Sequence, residues 1–134
     1  MVKDLIKPIG IPPNNQEHYE KRDSVIYKLK CMICDENNIT STYIGETGRM
    51  LQTRLNEHFR RIRDKEEFDS KISNMSQIQK HMFLFHPTIN SNDHWKIEIL
   101  NTEKNIQDRK VVEALEIKKH VPTLNADKGI SLVI

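Results

Sequence analysis

The sequence lacks the features that would place it in a membrane or on a secretory route. No run of apolar residues approaches the roughly 18 that a helix needs to cross a bilayer. The first residues, Met1 to Asp4, are followed by no sustained apolar region of the kind found in a signal peptide. Internal repeats and low-complexity tracts are missing as well. We therefore expect one intracellular globular domain that is not secreted.

Cysteine and net charge are also scarce. The two cysteines point to a reducing compartment, where a disulfide is improbable and a Cys-x2-Cys pair is a metal or redox candidate. The formal charge of +2 is too small to indicate nucleic-acid binding by itself. Its distribution is more informative, because six cations fall within seventeen residues: Arg49, Arg54, Arg60, Arg61, Arg63 and Lys65. This cluster either neutralises phosphates or forms an ordinary solvated helix face.

The first third of the chain predicts an extended arm followed by a β-hairpin. Residues 1–23 carry three of the five prolines and show no steady period, so we interpret them as an arm or linker. Alternation over residues 24–30 and a second β-rich run over 40–44 predict two strands joined by a long loop. Cys31 and Cys34 would lie near the tip of this hairpin.

The segment after the hairpin predicts a helix over residues 50–63. Gly45 and Gly48 are expected to end the second strand and to permit a tight turn into this helix. The apolar stripe of the helix recurs at helical spacing and consists of Leu51, Leu55, Phe59 and Ile62. Arg54 and His58 lie four residues apart along its border, where a polar group can be half-buried and aimed into a cleft.

A charged loop is predicted at residues 65–73, followed by another helix and a third strand. The helix covers residues 76–85, and Pro87 prevents its continuation. Residues 95–100 alternate between apolar and polar side chains, which is typical of a strand.

The last predicted helix begins after Asn105, its expected N-cap, and ends before Pro122. Its inward-facing residues are expected to be Val111, Val112, Leu115 and Ile117. Residues 123–134 predict a loop with a short terminal strand. Together these elements predict an α+β domain over residues 24–134, with a small three-stranded antiparallel sheet flanked by helices.

Five features occur in an order that carries the functional signal. They are Val25-Ile26-Tyr27, Tyr43-Ile44-Gly45, Arg54-x3-His58, Glu113 and Asn125. In this order they resemble the GIY-YIG nuclease family over about residues 24–129, although Val25 stands where the family motif has glycine. The endonuclease domain of Penelope-like retroelements is the most similar branch. Three further segments of the chain match this branch: Cys31-x2-Cys34, Gly48-Arg49 and Pro122-Thr123-Leu124-Asn125.

The resemblance implies hydrolysis of a phosphodiester with one divalent metal ion. Glu113 matches the family's metal-binding carboxylate and would hold Mg2+ or Mn2+, hard cations that suit oxygen ligands. Arg54 would bind the scissile phosphate and offset the charge that builds on it. Each residue also has an ordinary interpretation. Glu113 can pair with Arg109 four residues earlier, and Arg54 can be an exposed helix arginine.

The resemblance assigns the other motif residues to proton transfer, binding and support. Tyr27 is expected to act as general base and Tyr43 to position the water or the phosphate. Because a phenol has an ordinary pKa of about 10, His58 would accept its proton. Arg49 is expected to contact the DNA backbone and Asn125 to steady the site. Without the resemblance, the tyrosines could be core aromatics and Asn125 an ordinary turn residue.

A second, structural metal site is expected at Cys31, Cys34, His81 and His86. Two thiolates and two imidazoles at these spacings suit tetrahedral zinc, and the resemblance to the retroelement branch includes such a site. His81 and His86 would differ by about 140° around a helix, so the helix must end first for both to converge. Two other histidines could replace one of them: His94 and His120. The alternative is two buried free cysteines beside unrelated histidines.

The sequence therefore predicts a metal-dependent DNA endonuclease that nicks or cuts strands, derived from a retroelement and acting in the nucleus. Its expected partners are DNA and the reverse transcriptase domain of the parent element. The alternative is a zinc-stabilised nucleic-acid-binding or interaction module that has lost catalysis.

Overall fold

A computed structural model of the chain describes residues 21–125. Within them, three strands form an antiparallel sheet in the order β2-β1-β3: β1 (Asp23–Cys31), β2 (Thr42–Met50) and β3 (Trp95–Thr102). The α-helices of the described part are α1 (Met32–Glu36), α2 (Leu51–Phe59), α3 (Lys65–Lys71), α4 (Gln77–Phe85) and α5 (Ile106–His120). Two 3-10 turns cover Ile72–Asn74 and Thr123–Asn125. The predicted α+β architecture with a three-stranded antiparallel sheet is confirmed.

The predicted arm and tail lie mostly outside the described residues. Of the arm expected over residues 1–23, only 21–23 are described, and Asp23 already belongs to β1. The short strand expected near the end of the chain falls after Asn125 and is likewise outside the described part. Among residues 21–125, none of the helices has the length and apolar character needed to span a bilayer.

The central strand β1 organises the main core. Its alternate residues Val25, Tyr27, Leu29 and Cys31 point to one face of the sheet and are fully buried. The partners that complete this core come from the other strands and from α2 and α4: Tyr43, Leu51, Leu55, Ile78, Trp95 and Ile97. The helices that carry Arg54 and His81 are therefore anchored on the same face of the sheet as Tyr27.

The opposite face of the sheet is covered by α5. Ile26 and Ile44 point to this face by strand alternation and are fully buried. Glu46, which pairs with Ile26 across the strands, accepts a hydrogen bond of 2.6 Å from Arg109 Nε of α5. This buried ion pair fixes the helix that carries Glu113 against the sheet.

The prediction that Gly45 and Gly48 end the second strand was wrong. Strand β2 continues to Met50, and Gly45 pairs with Tyr27 inside the sheet. Gly48 makes room for α5, because a Cβ there would lie 2.8 Å from Nη2 of Arg109. Helix α2 consequently begins one residue later than expected. It ends at Phe59, before the predicted end at residue 63, because Arg60 adopts an extended backbone with φ −65° and ψ 122°.

The charged loop predicted at residues 65–73 is instead helix α3 followed by a 3-10 turn. Asp64 caps this helix by accepting a hydrogen bond of 2.9 Å from the backbone N–H of Glu67. Phe68 stacks on Phe83 with ring centroids 4.8 Å apart. Phe83 belongs with the buried residues of a second, smaller core: Ile62, Phe68 and Met75. An Asp three residues before a Glu was a capping signal that could have predicted this helix.

The other helices confirm the predicted ends but not every predicted face. Ser76 forms a capping box with Gln79 at the start of α4, and Asn105 caps α5 by accepting from the backbone N–H of Asp108. Val111 and Leu115, expected to face inward, are 58% and 60% exposed. The face of α5 that turns to the sheet carries the buried Arg109 with the half-buried Val112 and Ile117, so a polar contact adds to the apolar packing that was expected.

Candidate active site and metal centre

Tyr27 and His58 form a buried hydrogen-bonded pair between β1 and α2. The hydroxyl oxygen of Tyr27 lies 2.7 Å from Nε2 of His58, and both side chains are fully buried. Tyr43 completes the group, with its ring centroid 5.1 Å from that of His58 and 6.3 Å from that of Tyr27. Tyr43 is paired with Leu29, so the register places both tyrosines on the same face, as neighbours on the diagonal.

Gly45 allows this close arrangement of the two tyrosines. It lies directly opposite Tyr27 in the sheet. A Cβ atom on Gly45 would lie 2.6 Å from the Tyr27 hydroxyl oxygen and 2.8 Å from Cε2 of Tyr43, which is closer than such atoms can approach. The glycine of the second motif therefore serves side-chain packing within a strand.

Burial keeps both tyrosines neutral at ordinary pH. Removal from water raises the pKa of Tyr27 and of Tyr43, because the phenolate is poorly solvated inside the domain. The guanidinium of Arg54 partly opposes this rise in both pKa values, and the charge of Glu113 adds to it. Tyr27 is thus suited to pass a proton onward, and poorly suited to hold a negative charge.

Arg54 is held in place by a carboxylate that the sequence analysis missed. Its Nη1 donates to Oε1 of Glu57 at 2.9 Å, and Nη2 of Arg49 donates to the same oxygen at 2.8 Å. The hydrogen bonds from Arg49 and Arg54 lower the pKa of Glu57 to about 2. Glu57 is three residues after Arg54 on α2, a helical spacing that could have identified it.

Glu113 lies half-buried on α5. Its charge contributes to the raised pKa of Tyr27 and of Tyr43. Arg109, the partner that the sequence suggested for it, forms the buried ion pair with Glu46. Arg109 also donates to the backbone carbonyls of Glu103 and Lys104, at 3.3 Å and 3.4 Å. A carboxylate offers the oxygen ligands that a hard cation prefers.

Asn125 fastens the strand that carries Tyr43. Its Oδ1 accepts a hydrogen bond of 2.9 Å from the backbone N–H of Ile44, and its Nδ2 donates to the carbonyl of Ile44 at 2.9 Å. Thr123 adds a similar pair of contacts to Thr42 and Thr40. Because β2 is an edge strand, this turn satisfies backbone groups next to Tyr43 that the sheet leaves open.

A polar cleft of about 400 Å³ opens beside Tyr43, while Tyr27 and His58 lie outside its lining. Tyr43 and Arg54 lie at one side of it, and Arg60 contributes a further cation. The facing wall comes from the 3-10 turn and the start of α4 and includes Asn74, Ser76 and Gln77. An anionic group that entered this cleft would meet the guanidinium groups of Arg54 and Arg60 next to the Tyr43 side chain.

Cys31, Cys34, His81 and His86 come together in a separate cluster that could hold a metal ion such as zinc. One ligand atom from each residue lies within 4.8 Å of all the others. The Cys31 sulfur is 3.4 Å from Nε2 of His86, and the Cys34 sulfur is 3.4 Å and 3.5 Å from Nε2 of His81 and of His86. Tetrahedral zinc, with bonds of roughly 2.3 Å to sulfur and 2.0 Å to nitrogen, would separate such atoms by about 3.5 Å.

Local structure explains how this cluster converges. Cys31 is the last residue of β1, and the short helix α1, which was predicted as loop, turns Cys34 back towards it. Helix α4 ends at Phe85, so His86 leaves the helical path and can approach His81. The two alternative ligands, His94 and His120, are not part of the group of four among the described residues.

Without a cation, burial favours the neutral forms of these ligands. It raises the pKa of the Cys31 thiol to about 12, and it lowers the pKa of His81 to about 4 with help from His86 and His94. Neutral imidazole is the form that binds metal, whereas the thiol must lose its proton to do so. A bound cation would provide the positive charge that the buried thiolates need.

Comparisons of the chain with models of protein families, with curated proteins and with solved structures found no match.

Proposed function

We propose that the chain is a metal-dependent DNA endonuclease that hydrolyses phosphodiester bonds, as its resemblance to GIY-YIG nucleases implies. The observation that carries the proposal is the buried contact of 2.7 Å between the Tyr27 hydroxyl and His58 Nε2, next to a cleft lined by Tyr43 and Arg54. The charge of Glu113, 86 positions away in the sequence, adds to the rise in the pKa of Tyr27.

The proton path in this proposal runs from water through Tyr27 to His58. Because burial raises the pKa of Tyr27, the phenol cannot store a negative charge near neutral pH. It can accept the water proton only while it gives its own proton to Nε2 of His58, which lies within hydrogen-bonding distance. Tyr43, beside this pair and on the cleft, would orient the water or the phosphate.

Arg54 would bind the phosphate and stabilise the charge that develops on it. Its side chain lines the cleft, and its position is fixed by Glu57 before a substrate arrives. A preorganised guanidinium stabilises a transition state without having to reorganise during the reaction. Glu57 is therefore a positioning residue in this scheme.

Glu113 is the residue that would hold the divalent cation. A single carboxylate suits Mg2+ or Mn2+, which keep most of their water ligands. The charge of Glu113 also contributes to the raised pKa of Tyr27 and of Tyr43. When bound, such a cation supplies Lewis-acid stabilisation of the departing 3′ oxygen.

A structural zinc ion completes the proposal. Three sulfur–nitrogen distances of 3.4, 3.4 and 3.5 Å match tetrahedral zinc, and thiolate with imidazole favours zinc over magnesium. Its role would be to connect the end of β1 with the end of α4. Glu113 is not one of its four ligands, so the two metals would have separate tasks.

The deciding experiment is incubation of the purified protein with supercoiled plasmid and Mg2+ or Mn2+. We expect nicked circles when either cation is present and none when both are omitted. Omission of the cation, with zinc content confirmed by elemental analysis, is a better control than a strong chelator, which would also remove zinc. A protein that retains zinc and still leaves the plasmid supercoiled under all conditions would contradict the proposal.

One observation favours a binding module without catalysis as the second candidate. Tyr27 and His58 are both completely buried, and the Cys/His cluster is formed without them. The plasmid assay separates the two candidates, because DNA binding in a gel-shift experiment without any nicking supports the module. If nicking is found and the chain derives from a retroelement, the free 3′ end at the nick would prime the reverse transcriptase of the parent element.

A further inference from the structure

The carboxylate of Glu67 on α3 forms ion pairs with three cationic side chains. Oε1 of Glu67 accepts hydrogen bonds from the backbone N–H of Arg63 at 2.7 Å and from its Nε at 3.4 Å. Oε2 accepts from Nζ of Lys71 at 3.0 Å and lies 3.6 Å from Nη1 of Arg60. We call these four residues the Glu67 cluster: Arg60, Arg63, Glu67 and Lys71.

The Glu67 cluster presents positive charge to solvent and hides its negative charge. The Glu67 side chain is 4% exposed, whereas those of Arg60, Arg63 and Lys71 are 56%, 79% and 50% exposed. Three cations against one carboxylate leave a charge of +2 within the cluster. Over residues 60–71 the net charge is +1, because the exposed Asp64, Glu66 and Asp69 also lie there.

This excess charge is available to a further anion. A guanidinium has five N–H donors. Within residues 21–125, the side chain of Arg60 has Glu67 as its ion-pair partner and that of Arg63 has the same carboxylate. Because neighbouring cations repel one another, an anion bound across them would be stabilised by all three.

The Glu67 cluster is continuous with the candidate active site through Arg60. Arg60 lines the cleft together with Tyr43 and Arg54, and its backbone carbonyl accepts a hydrogen bond of 3.1 Å from Gln79 Nε2 on α4. Beneath the cluster, Phe68 and the second core hold α3 in place. The cations therefore start at the cleft and continue along a rigid surface.

We propose that the Glu67 cluster is a second phosphate-binding site, which holds the nucleic-acid backbone next to the phosphate in the cleft. The inference rests on the proposed function for the identity of its ligand, a strand of DNA. It assigns binding of flanking phosphates to the cations of the Glu67 cluster, and leaves the scissile phosphate to Arg54. Arg63 and Lys71 touch only the flanking backbone in this arrangement.

The test compares two double variants with the same change in net charge. Arg63→Gln with Lys71→Gln removes two cations of the Glu67 cluster, and Lys118→Gln with Lys119→Gln removes two exposed cations of α5. The probe is a 30-base-pair DNA duplex without divalent cation, and the affinity is measured over a range of salt concentrations. Each lost phosphate contact should reduce the slope of log affinity against log salt by about 0.9. We expect a reduction of about 2 for the first variant and a much smaller one for the second.

Equal slopes of log affinity against log salt for the two double variants would overturn the inference, whether or not the protein nicks plasmid. A specific loss of slope in a protein that never nicks would support the inference and contradict the endonuclease proposal. If the first double variant does not fold, Arg63→Gln alone serves, because the backbone N–H of residue 63 still donates to Glu67. That variant should lose about 0.9 in slope, and an unchanged slope would overturn the inference.

Discussion

Gly45 determines how closely Tyr27 and Tyr43 can approach each other. In Gly45→Ala the new methyl group would overlap the Tyr27 hydroxyl and the edge of the Tyr43 ring. We expect a loss of about 1–3 kcal/mol in the free energy of unfolding, measured with urea, and a clear fall in nicking rate. Gly48→Ala is the comparison variant: its methyl group would meet Nη2 of the buried Arg109 and neither tyrosine, so it should lower the free energy of unfolding without a comparable fall in nicking rate. Equal effects of the two changes on the nicking rate would contradict this role of Gly45.

Glu113 is expected to be required for catalysis and dispensable for folding. In Glu113→Gln the side chain keeps its shape and loses the charge that would hold the divalent cation. The nicking rate should fall about 100-fold or more, with an unchanged melting temperature. Glu36→Gln, an exposed glutamate at the end of α1, controls for the change in net charge. Full activity in well-folded Glu113→Gln would refute the assignment.

Arg54 and Arg49 bind the same oxygen of Glu57 and can therefore be compared directly. Arg54 lines the cleft, whereas Arg49 is an exposed residue at the end of β2. We expect Arg54→Ala to lower the single-turnover cleavage rate about 100-fold or more and to change DNA affinity little. Arg49→Ala should show the opposite pattern. Loss of binding in Arg54→Ala with a normal rate would make Arg54 an ordinary phosphate contact.

At the scale of elements, the Cys/His cluster joins β1 and α1 to α4. Zinc bound there would stabilise the folded state, because an unfolded chain has no preformed site. Cys34→Ser should abolish tight zinc binding and cost about 3 kcal/mol when zinc is present at 100 times its dissociation constant. The adjacent His94→Gln should retain zinc, since His94 lies outside the group of four. Elemental analysis and thermal melts measure both effects, and zinc retained in Cys34→Ser would exclude this site.

Local patterns predicted the elements whose signals are contained within a few residues. The hairpin, the start of α4 at Ser76, the third strand and the cap at Asn105 were all found this way. The extension of β2 was missed because Gly45 and Gly48 are explained by side chains of distant elements, Tyr27 and Arg109. Spacing alone could not show these packing requirements.

The same limit applies to the outward-facing residues of α5. Periodicity suggested that Val111 and Leu115 are buried, but the helix is rotated so that Arg109 meets Glu46. That ion pair joins residues 63 positions apart, and no local pattern contains it. A buried pair of this kind is specified by the whole fold, and its geometry can be recognised only once the fold is known.

At the scale of the whole molecule, the ordered motifs named residues that the fold brings together. Tyr27, Tyr43, Arg54 and His58 surround one another, and the four predicted zinc ligands converge. The motif could not show that Tyr27 is buried, that Glu57 holds Arg54, or that three cations surround Glu67 beside the cleft. These properties depend on packing between elements that are distant in the sequence.

The hydrogen bonds from Asn125 to Ile44 also constrain the order of folding. They close a sequence separation of 81 residues, and Thr123 closes the same distance to Thr42. Contacts between residues so far apart in the sequence form late, after the hairpin and the helices have shortened the chain segment that separates them. During synthesis from the N-terminus, strand β2 would therefore wait with an open edge until the Thr123–Asn125 turn emerged. A chain still being made could therefore pair its strands before Asn125 fixes the backbone next to Tyr43.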